Sequence, residues 1–281
     1  MNLELYPRGW RGAFLDLLSV ARKNLTIVSP YIRRREAAFV AGNLRKGADI
    51  TALTRLEESG LLSGALEIGA LDIFGGFSTG SRVINLPRLH AKIYVADESR
   101  AIITSANLTT SGMEHNYEYG VGVSGRAVVR RIRGHVADYA ELGHPVAAED
   151  LARLSAKVAD AMQKQAAARK RRGEEELRAA VRAVDDECQT LQSGGYAPTV
   201  LFARAVRHLL KDGAMTTREL QDGVLALYPG LCANGEDRII NGRRFGKLWK
   251  HHLRNAQQGL KKSGEVVYDK TTKKWTPRFR R

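Results

Sequence analysis

Residues 89–107 read Leu-His-Ala-Lys-Ile-Tyr-Val-Ala-Asp-Glu-Ser-Arg-Ala-Ile-Ile-Thr-Ser-Ala-Asn. Runs of β-forming residues flank the polar turn Asp97-Glu98-Ser99, a pattern that predicts two adjacent strands, 89–96 and 100–107. Side chains alternate along a strand, so His90 and Lys92 share one face while Ala91, Ile93 and Val95 point toward a core. Ser105 and Asn107 share a face by the same parity. Such a hairpin brings an imidazole, an ammonium, a hydroxyl and a carboxamide to one patch. Those groups are equipment for breaking a phosphodiester without a metal.

The first 145 residues or so alternate between helical and strand patterns. Helices are expected over Trp10–Lys23 and Glu36–Lys46, and strands over Leu25–Pro30, Asp49–Leu53, Arg82–Asn85 and Tyr117–Val123, with a mixed stretch over Leu61–Phe74. This alternation predicts an α/β fold, a mixed sheet flanked by helices. Tyr31 falls at a strand's C-terminal end, where such sheets place ligands, although a packing role suits it better.

The spacing His90-x-Lys92-x4-Asp97, followed by Ser105-x-Asn107 and the acidic Glu118, resembles the His-x-Lys-x4-Asp signature of the phospholipase D superfamily. Thr104 stands where that family often has glycine. The resemblance implies that one histidine attacks phosphorus to form a phosphohistidine, while a second protonates the leaving oxygen and later activates water. Lys92 and Asn107 would hold the non-bridging oxygens, and Ser105 would support the pocket. Glu118 would fix a histidine tautomer, and Asp97 would brace the turn. The chain has one such motif, and single-motif nucleases of this kind dimerise across the site. A homodimer through the N-terminal domain is therefore expected, with His90 contributed twice.

Charge points to the partner. Of the net +15, residues 195–281 supply +11, with 18 Lys and Arg against 7 Asp and Glu, whereas residues 1–150 are nearly balanced. An enzyme domain joined to a polyanion-binding module fits this asymmetry. Residues 146–194 are rich in Ala, Leu, Lys and Gln, and predict a helical linker of one or two helices broken at Arg169–Gly173. Beyond Gly195, helices are expected at Pro198–Lys211, at Thr217–Tyr228 behind the capping box Thr216-Thr-Arg-Glu219, and at Gly242–Ser263. A hairpin over Glu265–Thr276 follows.

Three helices and a hairpin resemble a winged helix-turn-helix domain. In the third helix Phe245, Leu248, Trp249, Leu253, Ala256 and Leu260 form an apolar stripe. Arg243, Arg244, Lys247, Lys250, His251 and Arg254 would face double-stranded DNA, with Lys270 and Lys273 on the wing.

The sequence has no run of about 18 apolar residues and no secretory signal pattern, so neither membrane insertion nor export is expected. The two cysteines, Cys188 and Cys232, read as thiols of a reducing cytoplasm. No Cys/His cluster has metal-binding spacing, and no cofactor is expected. These features together point to a DNA-cleaving phosphodiesterase, resembling metal-independent restriction endonucleases with a role in defence. Two alternatives are a lipid or small-phosphodiester hydrolase, and a non-enzymatic winged-helix regulator on a decayed phospholipase D-like fold.

Overall fold

The computed structural model describes residues 2–7, 10–171, 174–232, 237–240 and 242–278. They fall into two compact units, Met1–Gly194 and Gly195–Arg281.

The first unit is built in the order β1 (Asn2–Tyr6), α1 (Arg11–Val20), β2 (Asn24–Val28), α2 (Arg34–Asn43), β3 (Asp49–Thr54), α3 (Glu58–Leu62), α4 (Ile68–Gly75), β4 (Arg82–Asn85), β5 (Ile93–Ala96), β6 (Arg100–Thr104), β7 (Gly120–Ser124), α5 (Arg126–Leu142), β8 (His144–Val146), α6 (Ala148–Arg171) and α7 (Glu174–Ser193). Its eight strands form one sheet in the order β1-β7-β6-β5-β2-β3-β4-β8. β2, β3 and β4 are parallel, and every other pairing is antiparallel. The expected mixed α/β architecture is observed.

Both faces of the sheet are covered. Tyr94 and Ile102 pack into the main core with Phe14, Leu17 and Trp10. Their strand neighbours Val95 and Ala101 face the other way, onto Val129 of α5. Covered on two sides, β2 and β3 are almost continuously buried, Thr26 and Thr51 included.

Several sequence expectations need correction. The β5 ladder begins at Ile93, so His90 and Lys92 precede the paired strand. β7 begins at Gly120, leaving Tyr117–Tyr119 outside the ladder. Strands β1 and β8, at the two sheet edges, were not expected. Residues 148–193 do not form a free linker. Leu151, Leu154, Val158, Ala180, Val184, Cys188 and Leu191 are buried in the first unit's core, and Lys157 pairs with Glu187 across α6 and α7 at 2.9 Å. The apolar stripe of these helices covers α3 and α4 rather than another protein. Of the expected break at Arg169–Gly173, Arg172 and Gly173 lie outside the described residues.

The second unit contains α8 (Pro198–Leu209), β9 (Met215–Thr216), α9 (Thr217–Leu227), β10 (Asp237–Ile240), β11 (Arg243–Lys247), α10 (Leu248–Lys262), β12 (Val266–Asp269) and β13 (Lys274–Pro277). Leu201, Phe202, Val206, Leu220, Val224, Trp249, Leu253, Leu260 and Trp275 form its core. β9 joins the β12–β13 hairpin as a third strand. The capping box at Thr216 and Glu219 is present on both sides.

The third helix starts six residues later than expected, at Leu248 rather than Gly242. Arg243–Lys247 pairs with Asp237–Ile240 as a hairpin, and Gly242 and Gly246 have φ of 75° and 88°, a backbone that no α-helix accommodates. The dipeptide Asn241-Gly242 is a strong hairpin signal that the apolar stripe outweighed. Phe245, placed on that stripe, is exposed.

Asp97 ties the sheet to the α1–β2 connection. Its carboxylate accepts from the backbone amides of Arg22 (2.7 Å), Lys23 (3.0 Å) and Asn24 (2.8 Å), and its own φ is 51°. Asp97→Ala would orphan these three donors and place a Cβ-bearing residue without a polar side chain at positive φ. It is predicted to destabilise the first unit by about 2 kcal/mol, read as a lower denaturant midpoint at unchanged slope.

Candidate active site

The strand directions gather the candidate residues at one edge of the sheet. β2 and β3 run parallel, so Ser29–Tyr31 and Arg55–Glu57 both leave the sheet at its carboxyl edge. β5 runs against β2, with Val28 opposite Ile93, which brings the preceding His90–Lys92 to that edge. β6 ends there at Thr104 opposite Gly120, so Ser105–Asn107 and Asn116–Tyr119 emerge beside them. This is the edge at which α/β sheets commonly present their ligand-binding residues.

Lys92 is 8% exposed, while His90 beside it is open to solvent. The two side chains meet at 3.2 Å, Nζ to Nε2. An ammonium has only donors, so Nε2 accepts and the imidazole proton belongs on Nδ1. Burial pushes the Lys92 ammonium below the ordinary lysine range; the nearby Glu118 opposes this shift and Arg55 adds to it.

Ser105 donates its hydroxyl proton to Glu118 Oε2, and Asn116 Nδ2 donates to Oε1 at 3.1 Å. Glu118 is therefore held by Ser105 and Asn116, where the sequence suggested a histidine ring. Asn107 contributes a buried carboxamide oxygen that has no hydrogen-bond partner among the described residues. The Ser105–Asn107 segment is braced from below. Tyr94 donates to Ala106 O at 3.1 Å, and Ala106 N donates to Thr104 Oγ1 at 3.1 Å. Leu108 N donates to Ser29 Oγ at 3.1 Å. Thr104, which stands where the resemblance favours glycine, thus supplies an oxygen that anchors the loop.

Sequence reasoning missed Arg55. Its guanidinium donates to Tyr31 OH at 2.8 Å and to Glu57 Oε1, and Nε is buried without a partner among the described residues. Tyr31 OH also donates to Glu57 at 3.1 Å. The only signal was position, at the carboxyl end of a parallel strand. Asp97 lies at the opposite end of β5 from this patch, which makes it structural. Among the described residues, no three His, Cys, Asp or Glu side chains gather into a metal-ligand set.

In the second unit, Arg243, Arg244 and Lys247 lie on β11, Lys250, His251 and Arg254 on α10, and Lys270 and Lys273 at the β12–β13 turn. Asp237 engages Arg244 at 3.2 Å and Lys247 at 3.0 Å, and the Lys247 ammonium holds its carboxyl below the usual range. Both His251 nitrogens are occupied, one against Phe245 O at 2.6 Å and the other against Arg238 at 3.0 Å. The free basic surface expected here thus includes internal pairs.

Residues 14–138 match the family described as cardiolipin synthase, PLD-like domain. No curated protein sequence matches the chain. Among solved structures, the chain is similar to Nuc, a phospholipase D family member from Salmonella typhimurium, at 16% identity and a TM-score of 0.43 over 52% of this chain and 96% of that one. NucT from Helicobacter pylori is similar at 19% identity and a TM-score of 0.43, over 52% and 98%. Phosphatidylserine synthase from Haemophilus influenzae Rd KW20 is similar at 12% identity and a TM-score of 0.42, over 94% and 72%. His90, Lys92, Ser105, Asn107 and Glu118 all fall within residues 14–138, the span that matches this PLD-like family.

Proposed function

We propose that this protein is a metal-independent phosphodiesterase that cleaves double-stranded DNA through a phosphohistidine. The observation that carries this reading is the contact between the buried Lys92 ammonium and His90 Nε2, beside Asn107 and the Ser105–Glu118–Asn116 hydrogen-bond chain. In the resting state Lys92 occupies the Nε2 lone pair. A bound phosphodiester would draw Lys92 onto a non-bridging oxygen, freeing Nε2 to attack phosphorus in line. Asn107 would hold the other non-bridging oxygen as charge builds. The bond to the leaving oxygen breaks, and that oxygen takes a proton from a second imidazole. The same imidazole then removes a proton from the water that cleaves the phosphorus–nitrogen bond and restores His90.

Of the residues placed at this edge above, His90 is the one imidazole, so the second is assigned to the His90 of a second copy in a dimer formed through the first unit. The second unit, read as a winged helix with β12–β13 as wing and α10 as recognition helix, would hold the duplex. Its excess of basic residues supports that role. A restriction or defence role in a reducing cytoplasm fits this combination. Burial pushes the Cys188 and Cys232 thiols up to about 12, which keeps them unreactive. The matched family's description favours a second reading, phosphoryl transfer on a phospholipid through the same histidine. No helix of the described residues is long and apolar enough to cross a membrane.

Three outcomes test the proposal. Plasmid cleavage is expected to persist in excess EDTA, and His90→Ala should abolish turnover while changing duplex affinity less than about twofold, since affinity is assigned to phosphate contacts in the second unit. Loss of activity in EDTA with recovery on adding Mg²⁺ would contradict this mechanism. Wild-type chains unfolded and refolded with a large excess of His90→Ala chains should lose activity in proportion to homodimers lost; activity proportional to wild-type chains would point to a monomeric site. Finally, because the Lys92 pKa is lowered, cleavage should fall with rising pH below the ordinary lysine range. Lys92→Arg, if active at all, should lack that limb.

A further inference from the structure

The second unit holds a cavity of about 130 Å³ between α9, β11 and α10. Lys250, Arg254 and Gln257 follow one another at four- and three-residue intervals, so one face of α10 supplies all three. Gln257 is 2% exposed, and its Nε2 has no hydrogen-bond partner among the described residues. A buried donor left without an acceptor is costly, and here it borders a cavity whose wall is cationic. Neither Lys250 nor Arg254 has an acidic partner among the described residues.

The opposite wall adds donors. Thr217 Oγ1 accepts from Trp275 Nε1 at 3.0 Å, which leaves its own hydroxyl proton to be donated. α9 begins at Thr217, so the positive end of its dipole lies at this wall. Glu219, the acidic residue of that first turn, is folded back onto Thr216 N at 2.7 Å. His251, with both nitrogens engaged, and Lys247, bonded to Asp237, serve as the frame.

We propose that this cavity is a phosphate seat, with Gln257 Nε2 and the Thr217 hydroxyl donating to phosphate oxygens and Lys250 and Arg254 supplying charge. At about 130 Å³ the cavity has room for one phosphate group among these donors. The phosphate could belong to a nucleic-acid backbone or to a phosphorylated small molecule. The first case deepens the duplex-binding reading of this unit; neither uses the catalytic patch.

The test follows the Gln257 side-chain amide of the full-length chain by ¹⁵N–¹H NMR, assigned by its loss in Gln257→Leu. Inorganic phosphate should shift it saturably. Measured by titration calorimetry, Gln257→Leu and the exposed Arg254→Ala should each weaken phosphate binding about tenfold or more, as expected for a lost hydrogen bond to a charged group. A duplex oligonucleotide, added to the His90→Ala chain so that it stays intact, would produce the same shift if the backbone is the source. A response to inorganic phosphate alone would support the seat and assign it to a free phosphorylated molecule. An amide silent to both, or phosphate affinity unchanged in both variants, overturns the seat. Silence combined with tight duplex binding would do so while leaving the duplex reading standing.

Discussion

Strand β5 runs against β2 with Val28 opposite Ile93, and the placement of every candidate catalytic group depends on that pairing. A one-residue slip would turn Tyr94 out of the main core and exchange its place with Val95. The packing of Tyr94 against Trp10 and Phe14 makes such a slip costly. The same tyrosine reaches Ala106 with its hydroxyl. Sheet register, core packing and the position of Ser105–Asn107 are therefore fixed together. From the far end of β5, Asp97 holds the α1–β2 connection that feeds strand β2.

Lys92 concentrates the electrostatic cost of this arrangement. A buried ammonium is penalised by desolvation and by the nearby Arg55, and only Glu118 compensates among the causes of its shift. Its folded pKa lies below the unfolded value, so the unfolded chain holds this proton more tightly. The penalty on stability is present at neutral pH and is relieved as pH rises through the folded pKa. Destabilising a cation in the resting site is useful for phosphate chemistry. Under the proposed mechanism the charge would stay poorly solvated until a phosphodiester arrived, and an anionic oxygen would then be its best available partner.

Much of this was legible in the sequence because it is local. The His90–Asn107 segment showed its turn, its β-forming flanks and its polar residues, and Thr216 with Glu219 announced a helix start. The failures have identifiable causes. The stripe from Leu248 to Leu260 is helical, but extending it back to Phe245 ignored Gly242 and Gly246, whose backbone conformations require a hairpin. The stripe of α6 and α7 correctly marked two helices, but nothing local says that its partner is the first unit's own core. Arg55 was invisible for a related reason: its importance comes from the tertiary placement of Tyr31, Glu57 and Lys92. Glu118 was read from the sequence as a candidate, yet its observed partners, Ser105 and Asn116, follow from where β6 and β7 end.

The central proposal is that His90 forms a bond to phosphorus, and the stereochemical course at that phosphorus tests it most directly. Cleavage of a duplex carrying a single phosphorothioate linkage of known configuration, in water enriched with ¹⁸O, would reveal whether one or two in-line displacements occur. Two displacements, one by His90 and one by water, predict net retention of configuration. Net inversion would mean that water attacks directly, and would contradict the phosphohistidine account.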